Sequence, residues 1–118
     1  AAMHNKDVVI TGTGNETRDF TFVDDTVNGI LLAARQKSTE NQLFNLGTGK
    51  ETKILNIAKI ILELTKSKSN IVFEPRRKFD PIQRRKMDIS KAKDLLGYSP
   101  TVEIKNGLKL TYDWFLNR

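Results

Sequence analysis

Arginine is the residue type whose placement first suggests chemistry. Arg18 opens the run Arg18-Asp19-Phe20-Thr21-Phe22-Val23-Asp24-Asp25, and a basic cluster of Arg76, Arg77, Lys78, Arg84, Arg85, Lys86, Lys91 and Lys93 follows much later. A guanidinium offers a rigid fork of donors that matches phosphate or carboxylate oxygens two at a time, whereas an ammonium acts as a point charge. Arginine outnumbers lysine between residues 76 and 87, and Asp80 stands three places after Arg77. That composition favours a discrete di-anion as ligand. Arg18 has two readings of equal standing: a phosphate receptor at the mouth of a strand, or a structural ion pair with Asp19, Asp24 or Asp25. For the later cluster the plain alternative is a solvated charged loop, since surface ion pairs contribute little.

Two glycine pairs raise a different chemistry. Gly12-Thr13-Gly14 follows an apolar run, yet a dinucleotide fingerprint needs a third glycine three residues on and an immediate helix. Thr17 occupies that place, and Arg18 begins another extended run, so this is read as a turn between strands. Gly47-Thr48-Gly49 lies between a predicted strand and a predicted helix. Its N–H groups could meet an anion, or the segment could be an ordinary β-to-α turn.

Other chemistries are closed by composition. The 118 residues contain no cysteine and one histidine, His4, near a terminus expected to be loose. Disulfides, thiolate catalysis and thiolate metal sites are thereby excluded, and no catalytic or metal-ligating set is expected. No apolar run approaches the ~20 residues of a membrane-spanning helix, and the first residues have no apolar core of a targeting peptide. A soluble, cytoplasmic chain is the expectation. Its charge of +6, from 20 basic and 14 acidic residues, calls for an anionic partner. A basic module for nucleic acid or another polyanion is the competing function class. Only Phe79 lies among the charges as a stacking surface, however.

These residues need a scaffold. Strands are predicted at 8–11, 19–23, 43–46 and 70–74 from β-branched or alternating patterns. Helices are predicted at 26–37, 53–66, 89–96 and 104–116. Asp24 and Asp25 are expected to cap the first helix, Thr52 the second and Asp88 the third, with Gly97 closing the third. The first helix is expected to bury Val27, Ile30, Leu31 and Ala34. The apolar faces at 54–64 and 104–115 are wide enough to be left partly uncovered, which would favour self-association. No repeat or linker divides the chain, so the fold class is α/β, a single small mixed α/β domain over residues 1–118.

Taken in order, five segments resemble the C-terminal substrate-binding lobe of a Rossmann-type extended short-chain dehydrogenase/reductase acting on nucleotide sugars, the NAD-dependent epimerase/dehydratase family. They are Val9-Ile10-Thr11-Gly12-Thr13-Gly14, Arg18-Asp19-Phe20 through Asp25, Phe44-Asn45-Leu46-Gly47-Thr48-Gly49, Pro75-Arg76-Arg77 with Asp80, and Asp88-Ile89-Ser90-Lys91-Ala92 through Pro100. UDP-glucose 4-epimerases, UDP-glucuronate decarboxylases and dTDP-glucose 4,6-dehydratases are its examples. The resemblance implies that Arg18 and Arg77 grip the pyrophosphate and that Asp80 meets the ribose hydroxyls. It also implies that the main chain of Val9 and Thr11 lies beside the base, with Arg84 or Arg85 reaching the phosphate or sugar.

The resemblance further implies a nucleoside-diphosphate sugar, such as a UDP-sugar, as partner, with neither nucleic acid nor a membrane. A full-length parent would be an NAD-dependent enzyme, as a homodimer, whose N-terminal Rossmann domain supplies the cofactor loop and a Tyr-x-x-x-Lys pair. Neither tyrosine here makes that pair: Val102 stands four places after Tyr98 and Leu116 four after Tyr112. The 118-residue chain alone is therefore expected to hold no NAD and to be catalytically inactive.

Overall fold

Val8–Thr11 forms strand β1, as its β-branched run dictates. In this computed structural model, which describes residues 1–77 and 81–117, its partner is β4, Ile71–Glu74. The two strands run parallel in the register Val8↔Ile71 to Thr11↔Glu74. Parallel pairing demands a crossover rather than a hairpin, and everything between the strands is that crossover. It contains β2 (Thr17–Arg18), α1 (Val23–Arg35), β3 (Thr52–Lys53) and α2 (Ile54–Thr65). Helices α3 (Ser90–Leu96) and α4 (Ile104–Leu116) follow. Helix α2 packs on β1 and α4, while α1 packs on α3. The small mixed α/β class is the one expected.

The predicted second strand is displaced. Pairing occurs at Thr17↔Lys53 and Arg18↔Thr52, antiparallel, and Asp19–Phe22 lies outside any ladder. The alternating apolar residues have other uses: the Phe22 ring packs at Gly107 of α4, where an added Cβ would stand 3.2 Å from it. The helix consequently begins at Val23, three residues earlier than the pattern suggested. Asp24 and Asp25 lie in its first turn and make no capping bond. Asp25 is 4 % exposed and accepts instead from Thr101 N (2.9 Å), Thr101 Oγ1 (3.3 Å) and Val102 N (3.0 Å). Thr52 likewise does not cap α2. Nor is Asp88 the N-cap of α3, which is Ile89; it stands one residue outside, its Oδ1 accepting from Ser90 N at 3.0 Å. The N-terminus is a short 3-10 turn, Ala2–His4, packed on α2 rather than loose.

Helix α1 buries the opposite face from the one expected. Asp25 and Gly29 are buried and Leu32 and Ala33 partly so, whereas Val23, Val27, Ile30 and Leu31 are exposed. Gly29 permits a close approach, since a Cβ there would meet Leu46 at 2.7 Å and Tyr98 at 3.1 Å. The segment 43–46 joins no ladder, and Leu43 is 89 % exposed. Helix α2 has a partly covered apolar face, with Ile54, Leu55, Ile61, Leu62 and Leu64 half-buried. Its Ile57 and Ala58 are buried. At the end of α4, Trp114 and Phe115 make an edge-to-face pair with centroids 5.0 Å apart, both about half exposed.

The principal core lies between α1 and α3. Ile89, Ala92, Leu96 and Tyr98 are buried against Leu32, Ala33, Phe44, Leu46 and Met87. Tyr98, 1 % exposed, donates its hydroxyl to Gly47 O at 3.0 Å. Burial and the charges of Asp25 and Asp19 push its phenol pKa upward. The molecule measures 51 × 36 × 18 Å with a radius of gyration of 16.8 Å. A compact chain of this length would have about 13–14 Å, so the layers are spread as a slab. Replacing Tyr98 with Phe leaves the Gly47 carbonyl without its donor and should cost about 1–3 kcal/mol. Urea unfolding followed by circular dichroism checks this, and an unchanged midpoint would show that water reaches the carbonyl.

Candidate functional site

Alternation along β1 and the short β2 ladder bring distant residues to one place. Val9, Thr11, Glu16, Arg18, Arg76 and Arg77 line one cleft of about 250 Å³, floored by Ile10 and Ile54. Arg18 and Arg77, 59 residues apart in the chain, are thus neighbours. The Arg18 guanidinium is steadied by its own strand, Nη1 donating to Thr17 O at 2.8 Å. A second cleft of about 520 Å³ shares Glu16 and Arg76 and adds Gly12, Thr13, Gln83 and Arg84. Asp80 lies outside the described residues.

Arg84 and Arg85 sit on a third extended segment beside β2. Thr17 N donates to Gln83 O (2.9 Å) and Arg85 N to Thr17 O (3.1 Å), a parallel bridge centred on Thr17 and Arg84. The Arg84 fork is closed on Glu51, Nε to Oε1 at 3.1 Å and Nη2 to Oε2 at 2.5 Å. Thr17 Oγ1 adds a third donor to Glu51 Oε1 at 2.5 Å. These bonds, led by the Arg84 fork, hold the Glu51 carboxyl down at about 2, and they raise the Arg84 pKa.

Both glycine turns already hold an anion, and in each case it belongs to the chain. The Asp19 carboxylate accepts from Thr48 N (2.9 Å), Gly49 N (2.8 Å) and Met87 N (3.3 Å), and also from Thr48 Oγ1. Gly47 is needed because a Cβ would stand 2.7 Å from Met87 and 3.0 Å from Asp19 Oδ2. In the first turn Glu16 accepts from Thr13 N at 3.2 Å and Thr13 Oγ1 at 3.3 Å, and backbone donors lower its pKa. The donors of both turns that these bonds engage are thus directed at carboxylates of the chain itself. Carboxylate-to-turn bonds over some 30 residues leave no local signature, and spacing alone had left Asp19 as a partner for Arg18. Among the described residues no group of His, Asp or Glu could hold a metal ion, and no helix is long and apolar enough to cross a membrane.

Residues 1–111 match the sequence model of the GDP-mannose 4,6 dehydratase family. The chain belongs to that family. It is 40 % identical over 114 residues to UDP-glucuronic acid decarboxylase 1 of Danio rerio, covering 97 % of this chain and 27 % of that protein. Its fold superposes with a TM-score of 0.96 on an epimerase of Methanothermobacter thermautotrophicus, at 40 % identity, covering 98 % of this chain and 34 % of the other. A UDP-glucuronic acid 4-epimerase from Bacillus cereus, solved with UDP-glucuronic acid and NAD, gives a TM-score of 0.89 at 31 % identity over 98 % of this chain and 37 % of its own. The chain spans about a third of the length of the proteins it matches.

The depressed Glu51 pKa fixes a direction for acid stability. A carboxyl lower in the folded state than its ordinary 4.5 stabilises the fold above that value, and the contribution is lost as pH falls from about 4.5 toward 2. Urea midpoints should therefore drop between pH 6 and pH 3, and Glu51→Gln should flatten part of that drop. Equal acid slopes in the two proteins would place the titration on other carboxyls.

Proposed function

We propose that this chain is the substrate-binding part of an NAD-dependent epimerase, dehydratase or decarboxylase that acts on a nucleoside-diphosphate sugar. Arg18 and Arg77 hold the pyrophosphate, the main chain of Val9 and Thr11 flanks the base, and Asp80 accepts from the ribose hydroxyls. The observation that carries this reading is the single cleft lined by Val9, Thr11, Arg18 and Arg77. Two arginine forks on one cleft suit a diphosphate better than a monoanion. Some of the other basic residues have a counter-charge or ring of their own. Lys50 pairs with Glu103, Lys105 with Glu63 and Lys109 with Asp113, and Lys91 lies 5.0 Å over Phe44. That distribution suits a discrete site rather than a polyanion track.

NAD, when bound by the rest of a longer protein, supplies hydride acceptance and return; this chain's residues orient the sugar toward it. Anchoring the non-reacting diphosphate is how binding energy positions a distant reacting centre. The related proteins are about three times as long, and the exposed stripe of α1 with the unladdered segment 43–46 forms the surface on which the remainder packs. Isolated, the 118 residues turn over no substrate.

Titration calorimetry with UDP, uridine and inorganic pyrophosphate tests the reading. UDP should bind at one site and more tightly than either part alone. Arg18→Ala and Arg77→Ala should each weaken UDP by roughly ten- to a hundred-fold, the equivalent of a charge-assisted bond of about 1.5–3 kcal/mol. Equal affinity for UDP and pyrophosphate, falling steeply with salt, would favour the polyanion module instead.

A further inference from the structure

We infer that Glu51 is a positioning residue for the diphosphate grip and that Arg84 is its strap, holding the arginine-bearing loop to the Arg18 strand rather than touching ligand. The inference rests on the proposed reading of the cleft.

Among the described residues the loop after β4 is tied to the first strands before it begins, where it returns beside Thr17, and again at Met87, whose N–H donates to Asp19 at 3.3 Å. Gly12 N donates to Glu74 O at 2.9 Å before the loop begins. Gln83 and Arg85 are bonded to Thr17 where it returns. Arg76 and Arg77 lie between these ties, and Arg18 follows Thr17 directly. The hold of the returning segment on β2 therefore bears on how the Arg18 strand and the arginine-bearing loop are presented to one cleft. Two main-chain bonds provide part of that hold. Asp19 adds its bond to Met87 N, and Glu51 adds a side-chain clamp: it precedes β3, accepts from Thr17 on β2 and closes the Arg84 fork beyond it.

An ordinary surface ion pair would do little here. This one differs in two respects. The Glu51 side chain is only 17 % exposed although Arg84 is 78 % exposed, and the contact is a fork with a hydroxyl as third donor. Charge-assisted forks carry orientation as well as energy. With the strap cut, the loop must be ordered when ligand binds, and that ordering opposes binding. The loss falls on ligands that need both arginines together, which distinguishes positioning from general stability. Lys86 is the other cation acting on Glu51, and its ammonium cannot reproduce the fork.

A double-mutant cycle on the 118-residue chain tests this, with calorimetry against UDP and uridine and amide exchange as a ligand-free readout. Glu51→Gln and Arg84→Gln should each weaken UDP by roughly five-fold (about 1 kcal/mol) and leave uridine nearly unchanged. The double variant should be no worse than either single one. Amide exchange at Arg85 should accelerate in both single variants while β1 and β4 stay protected. Further loss from Arg84→Gln in the Glu51→Gln background would make Arg84 a ligand and overturn the inference, as would unchanged UDP affinity with unchanged exchange. Failure of the unsubstituted chain to bind UDP, with Arg85 exchange still dependent on Glu51, would sink the nucleotide-sugar reading while leaving the strap in place.

Discussion

Several donors converge on one carboxylate, Asp19, and the arrangement of the chain depends on that convergence. The N–H groups of Thr48 and Gly49 come from the turn before β3, and that of Met87 from the end of the basic loop. None of these segments has enough regular structure to hold itself. Among its described residues the loop has no ladder beyond its bridge to Thr17, and β2 and β3 are two residues each. A buried turn with unpaired N–H groups is unfavourable, and an ionised acceptor satisfies several donors at once. Asp25 does the same for Thr101 and Val102, joining the start of α1 to the approach of α4. Asp19 and Asp25 thus act as fasteners for backbone.

That division of labour explains where the positive charge is available. Each of the two Gly-x-Gly turns meets a side-chain carboxylate, Glu16 or Asp19, so neither competes for phosphate. Arg84 meets Glu51, and several lysines meet exposed acids. Arg18 and Arg77 share a cleft with the main chain of β1.

Helix α1 illustrates the limits of periodicity. It is apolar on two faces, and helical spacing admits both Val27-Ile30-Leu31-Ala34 and Gly29-Leu32-Ala33. The decision came from Gly29, whose missing side chain lets Leu46 and Tyr98 approach where a larger residue would hold them off. The other face remains open on a slab 18 Å thick. A helix apolar on both sides is built for two neighbours.

Local chemistry by itself determined β1, β4, α2, α3 and α4, because β-branched runs, apolar periodicity, Asp88 and Gly97 act within a few residues of where they stand. It also selected Arg18 and Arg77, since guanidinium chemistry is a property of residue type, and the order of the five motifs pointed to the nucleotide-sugar family. Only the tertiary structure decided that these two arginines share a cleft, that Asp19, Asp25 and Glu51 serve distant partners, and that α1 faces inward through Gly29. Each of those outcomes depends on contacts across 17 or more residues, and side-chain spacing along the chain carries no information about what another segment brings close.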